Sequence, residues 1–148
     1  MRLWHKDLIP VLPDAQLRGQ WRECCLIAKL LSEDKLNHLL VNKVKEYPDA
    51  DFNTYTKEVY LEMKWRGYNV DFDKFQRYRI KPGNDLGTYI YEEYQTPASI
   101  FRNWHDDTYL KQCYYNLEEK YNCGGIKFDE MLDILEFLKR LGYDFMYN

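Results

Sequence analysis

The chain is 148 residues long with a net charge of −3, 45% apolar and 30% charged residues. This is enough for one folded core and excludes a disordered or fibrous chain. No apolar run approaches the ~18 residues of a membrane helix. Asp7, Pro10 and Pro13 interrupt the place where a secretory signal would need an unbroken apolar stretch. The expectation is a cytoplasmic, monomeric chain with no membrane contact and with Cys24, Cys25, Cys113 and Cys123 reduced. Aromatics reach 17%, including 14 tyrosines; they suit a packed core and stacked bases equally. The charge is uneven: residues 1–29 balance at +2, residues 64–82 at +4 and residues 103–148 at −4.

In chain order, a proline-punctuated arm leads to Asp14, which can cap a helix running to about Leu31. Its residues Leu17, Trp21, Cys24, Cys25, Ala28 and Leu31 recur at the spacing of a buried face. A second helix is expected from Asp34 to Glu46, stopped by Pro48, and a third from Phe52 to Arg66, ended by Gly67. Residues 69–99 read as a long irregular segment with one short helix near Phe72–Tyr78. A fourth helix runs from His105 to Tyr121, with Leu110, Cys113, Tyr114 and Leu117 on its seam. A fifth runs from Phe128 to Leu141. The whole predicts an all-α fold, a compact bundle forming a single domain over residues 1–148.

The first helix carries the most chemistry. Arg18, Arg22 and Lys29 share a side; like charges so placed repel, which fits either a solvated face or an anion held between them. Glu23 has no charged neighbour three or four residues away, and Gly19 in mid-helix leaves space one turn below it. The segment Lys64–Arg79 interleaves cations with aromatics, as a nucleic-acid surface does, but inward-packed rings with snorkelling cations give the same pattern. His38 beside an apolar stripe is by default structural, and His105, followed by Asp106 and Asp107, most simply opens a helix. The cysteines lack a zinc spacing, and there is no phosphate loop or nucleophile elbow, so no metal or cofactor is expected.

Met1-Arg2-Leu3-Trp4-His5, followed by Leu17 and Trp21-Arg22-Glu23, resembles the N-terminal signature of the pyrimidine-dimer DNA glycosylase family. These are small all-helical enzymes that combine glycosylase and abasic-site lyase activity, and the likeness is greatest to a bacterial branch beginning Met-Arg-Leu-Trp-His. More weakly, Asn37-His38, Lys64-Trp65-Arg66-Gly67-Tyr68 and Trp104-His105 resemble the family's later segments. The resemblance implies catalysis by the α-amine of Met1, which attacks the sugar C1′, expels the base and forms an imine. It implies Glu23 as the carboxylate that stabilises the cationic sugar and moves protons during β-elimination. It assigns phosphate contacts to Arg2, Arg18 and Arg22, with Lys29, His38, Arg66 and His105 as further contacts to double-stranded damaged DNA. The family's basic C-terminal tail is replaced by the acidic Phe128–Leu141 helix, a candidate surface for a protein partner. The alternative is a helical module that keeps the fold, lacks the chemistry, and binds nucleic acid or protein.

Overall fold

The computed structural model describes residues 1–80 and 93–147. Among the described residues, five α-helices carry the fold: α1 (Asp14–Ser32), α2 (Asp49–Trp65), α3 (Asp73–Gln76), α4 (Asp107–Asn122) and α5 (Phe128–Arg140). Short 3-10 turns cover Lys6–Val11, Asn42–Glu46, Pro97–Ser99 and Phe145–Tyr147. Among the described residues there is no β-strand, and no helix is long and apolar enough to cross a membrane. The fold is all-α, as the periodicity indicates.

Proline sets the entry to α1. Pro13, at φ −54° and ψ 151°, occupies the cap position, so Asp14 is the first helical residue rather than the cap. Its carboxylate instead meets Arg66 at 3.0 Å. The backbone N–H of Asp14 donates to Glu130 of α5 at 3.2 Å, and the same carboxylate accepts from Lys127 N–H at 3.2 Å. One side chain thus serves the first turns of two helices. The expected apolar stripe of α1 is buried at Leu17, Trp21, Cys24 and Ala28, with Gln20 and Ile27 added.

The helix expected over Asp34–Glu46 does not form. Asp34 takes a left-handed φ of 53° and Lys35 N–H returns to Leu30 O at 2.8 Å, which closes α1. Only Asn42–Glu46 coils, as a 3-10 turn. The Asn42 side chain explains the difference: its Oδ1 accepts from His38 N–H at 2.9 Å, an alternative to a helical backbone bond.

Helix α2 buries Phe52, Tyr55, Val59 and Met63, and Gly67 ends it at φ 90°. Its first turns also bury Asp51, Asn53, Thr54 and Thr56. Asp51 accepts from Phe101 N–H at 2.9 Å, and Thr54 Oγ1 accepts from Gln95 N–H at 2.9 Å, tying the helix to the segment before α4. The short helix near Phe72–Tyr78 is present as α3. The remainder of the expected irregular segment lies partly in residues 81–92, outside the described residues. Helix α4 starts at Asp107, capped by Asp106, whose side chain accepts from Tyr109 N–H at 2.9 Å. Helix α5 buries Met131, Ile134 and Leu138 within this chain's own core and leaves Phe128 and Leu132 exposed.

Candidate active site

The first five residues thread between α1, α2 and α4, and Gln20 is what holds them. Its amide has two acceptor positions and two donor hydrogens. Oε1 accepts from Trp4 N–H at 2.8 Å and lies 2.8 Å from the Tyr55 hydroxyl. Nε2 donates to Arg2 O at 2.9 Å and to Glu23 Oε2 at 3.3 Å. Burial holds the Tyr55 phenol well above its ordinary range, so it remains a donor, to Trp4 O at 2.7 Å or to Gln20. From the other side the Tyr109 hydroxyl donates to Leu3 O at 2.5 Å; burial again raises that phenol. Leu3 and Trp4 are buried, while Met1 is half-buried with its side chain packed on the core.

This threading brings four of the residues singled out in the sequence together. Glu23 Oε2 accepts from Arg2 N–H at 3.3 Å. The α-amine of Met1, one residue further, lies 3.4 Å from His38 Nε2. The Leu40 N–H donates to the other ring nitrogen of His38, Nδ1, at 3.3 Å. The tautomer of His38 sets which partner donates between Nε2 and the amine. Glu23 therefore has partners that charge counting misses: a neutral amide three residues back and a backbone N–H from the arm.

Arg18, Arg22 and Lys29 are exposed on one side of α1, and at 100° per residue they fall within a 40° sector. The space over Gly19 is taken by Arg22: a Cβ there would lie 3.9 Å from the Arg22 guanidinium. Arg18 sits 6.0 Å from the Tyr68 ring. Lys29 borders a shallow hollow of about 290 Å³ with Lys74 and Arg77. Arg2 is half-buried, 5.6 Å over the Trp4 ring and 4.0 Å from Cys113 Sγ. Among the described residues, no carboxylate pairs with the side chain of Arg2, Arg18, Arg22 or Lys29.

Other cations have internal duties. Arg66, expected as a DNA contact, donates to Leu12 O at 2.7 Å and Pro10 O at 3.1 Å and pairs with Asp14 and Glu62. It clamps the Lys6–Val11 turn onto α2. Arg79 is 4% exposed, paired with Asp49 at 3.0 Å and bonded to Asn53, with its guanidinium over Phe52 and Phe75. In Lys64–Arg79 the inward-packed arrangement therefore accounts for Arg66, Phe75 and Arg79.

His105, expected as a DNA contact, is likewise held in the core. It is 7% exposed and stacked on His5 with ring centroids 5.2 Å apart; its Nδ1 accepts from Lys6 N–H at 2.9 Å. Burial, with the neighbouring His5 and Lys6, holds its pKa down at about 2. His5 is lowered too, chiefly by burial. Neither ring gains a proton near neutrality.

The thiols offer no competing nucleophile at the site. All four cysteines are free. Burial pushes up Cys24 and Cys113, and it raises Cys25 to about 11 against the opposing pull of Lys74 and Arg77. Among the described residues no group of three His, Cys, Asp or Glu side chains is placed to hold a metal ion.

Of the predicted set, the structure thus gathers Met1, Arg2, Glu23 and His38, sets Arg18, Arg22 and Lys29 on a neighbouring face, and assigns Arg66 and His105 to the scaffold. Gln20, Tyr55 and Tyr109 were not singled out in the sequence. Gln20 carries one signal there, a polar residue at 200° from Arg18, in the sector of α1 opposite its charged face. No curated protein and no solved structure matches the chain. The family model for pyrimidine dimer DNA glycosylase matches residues 1–76, which contain the arm, α1, the His38 loop and α2. A chain whose matched half holds the amine, the carboxylate and the unpaired cations belongs to the pyrimidine dimer DNA glycosylase family.

Proposed function

We propose that this protein removes damaged pyrimidines from double-stranded DNA and then cleaves at the abasic site, with the α-amine of Met1 as nucleophile. One observation carries the reading: the amine, the Glu23 carboxylate and the His38 ring are held together by the arm, beside cations that no carboxylate neutralises.

The chemistry follows from the groups present. The amine nitrogen attacks C1′ as the bond to the base breaks and the base leaves with a proton; the nitrogen then loses a proton while the C1′–O4′ bond opens and O4′ is protonated, which gives a protein–DNA imine. His38 Nε2, 3.4 Å from the amine, is within reach to exchange a hydrogen bond with it and hold it in place. Glu23, with both hydrogen bonds on Oε2, has Oε1 without a protein donor among the described residues. That oxygen can face the cationic sugar and take the C2′ proton that β-elimination requires. Arg18, Arg22 and Lys29 suit consecutive phosphates, and Arg2 suits the phosphate nearest the reacting sugar. The reading needs no cofactor, and a monomeric single domain in the cytoplasm accords with it.

Borohydride reduces an imine to a stable amine and so records the intermediate. With abasic duplex DNA it should link protein to DNA, and acetylation of the N-terminus should abolish the link. Trapping that survives acetylation would move the nucleophile to a lysine. DNA binding with no trapping would leave the non-catalytic module.

A further inference from the structure

Beside the amine stands an apolar projection that the chemistry above does not use. Residues His38–Val41 form a turn closed by Val41 N–H to His38 O at 3.0 Å. Three more bonds brace it: Asn42 N–H to His38 O at 2.8 Å, His38 N–H to Asn42 Oδ1 at 2.9 Å, and Leu40 N–H to His38 Nδ1 at 3.3 Å. At its apex Leu39 is 91% exposed and Leu40 is 49% exposed. Of the described large apolar side chains, Leu39 is the most exposed. Single exposed leucines are ordinary on a surface. This one is set on a braced turn whose first residue touches the α-amine.

We propose that Leu39 is a wedge that enters the base stack at the lesion and holds the target nucleotide open for the amine. The inference rests on the proposed function and adds a residue to it. An amine reaching C1′ needs the stack opened at the lesion, and unstacking a base leaves a gap that an apolar side chain can fill. The turn is suited to the task because its bonds hold the apex rigid before DNA arrives. Below the apex is a hollow of about 290 Å³ bordered by Leu40, Lys43, Trp104 and Tyr109, where an unstacked base could meet aromatic faces. Lys43, exposed on the following turn, supplies a cation for the flanking phosphate.

The test uses the full chain and a duplex with a tetrahydrofuran abasic analogue, which cannot form an imine, opposite 2-aminopurine. Binding of the unaltered protein should raise 2-aminopurine fluorescence severalfold. At saturation the rise should be at least threefold smaller with Leu39→Ala and largely kept with Leu39→Met. In borohydride trapping on true abasic sites, the ratio of duplex to single-strand rates should fall about tenfold in Leu39→Ala. Circular dichroism should report the same fold, since Leu39 is exposed. Equal fluorescence in Leu39→Ala and the unaltered protein would overturn the wedge, and so would an unchanged duplex to single-strand ratio or a protein that binds without any rise. Absence of trapping by the unaltered protein counts against the proposed function alone, because the fluorescence signal needs no chemistry.

Discussion

Replacing Gln20 by leucine keeps the volume of a buried side chain and removes four hydrogen-bonding positions at once. The Tyr55 hydroxyl still has Trp4 O, 2.7 Å away, so it is not stranded. Trp4 N–H loses its acceptor inside the core, a loss of about 1–3 kcal/mol. Arg2 O loses a donor at a partly solvated place, adding about 0.5–1.5 kcal/mol. The sum, roughly 1.5–4.5 kcal/mol, is below the ~5–15 kcal/mol that holds a domain together, so the chain still folds. The loss falls on the arm, whose first two residues have few other anchors. If it lowers the population of the placed amine, each ~1.4 kcal/mol is a tenfold loss. Single-turnover trapping at saturating abasic DNA should then drop between about ten- and a thousandfold, with DNA affinity within about threefold because Arg18, Arg22 and Lys29 are untouched. Gln20→Glu should behave differently. It keeps an acceptor for Trp4 but sets a second carboxylate against Glu23, and two carboxylates in one site hold a proton between them. Its activity relative to the unaltered protein should therefore climb with pH. A trapping rate for Gln20→Leu within twofold of normal would refute the claim that this amide positions the amine.

Glu23→Gln should lower turnover about 100-fold or more while DNA binding holds or improves, measured by single-turnover cleavage beside equilibrium titration; near-normal turnover would remove the carboxylate from the chemistry. Each of Arg18→Ala and Arg22→Ala should reduce the slope of log affinity against log salt by about one, and unchanged slopes would detach this face of α1 from the phosphates. Folding stability should fall on acidification. Burial lowers both histidines in the fold, whereas they take a proton near pH 6.5 when unfolded, so nothing is lost above that pH. Below it, His105 alone costs roughly 1 kcal/mol per pH unit, roughly 3 kcal/mol by pH 4.5, and His5 acts in the same direction. Urea midpoints at pH 7 and pH 4.5 should show this, with a shallower dependence in His105→Phe; equal slopes would mean the ring is protonated in the native state. Arg66→Ala should destabilise by about 2–3 kcal/mol, because Leu12 O and Pro10 O lose a charged donor, and should leave the salt dependence of DNA binding unaltered.

Local order was legible in the sequence wherever periodicity and punctuation agree. The stripes of α1, α2, α4 and α5 are set by residues three and four apart, and Gly67, Gly124 and Gly142 end helices at positive φ because they lack a Cβ. The arm motif with Trp21-Arg22-Glu23 likewise pointed to the family without coordinates. What pattern could not decide was which polar groups meet across the fold. Asp34–Glu46 has helical spacing, but Asn42 competes for the His38 backbone, and the resulting turn is what carries the imidazole to the amine. His105 looks like a helix opener until the arm's backbone takes its ring nitrogen and burial removes its charge. Arg66 and Arg22 are both arginines on helical segments. One is consumed by carbonyls from a turn 54 residues away, and the other has no carboxylate partner among the described residues. A hydrophobic stripe is a property of neighbouring residues. Whether a charge is paired or free depends on groups distant in sequence, so that choice belongs to the tertiary structure.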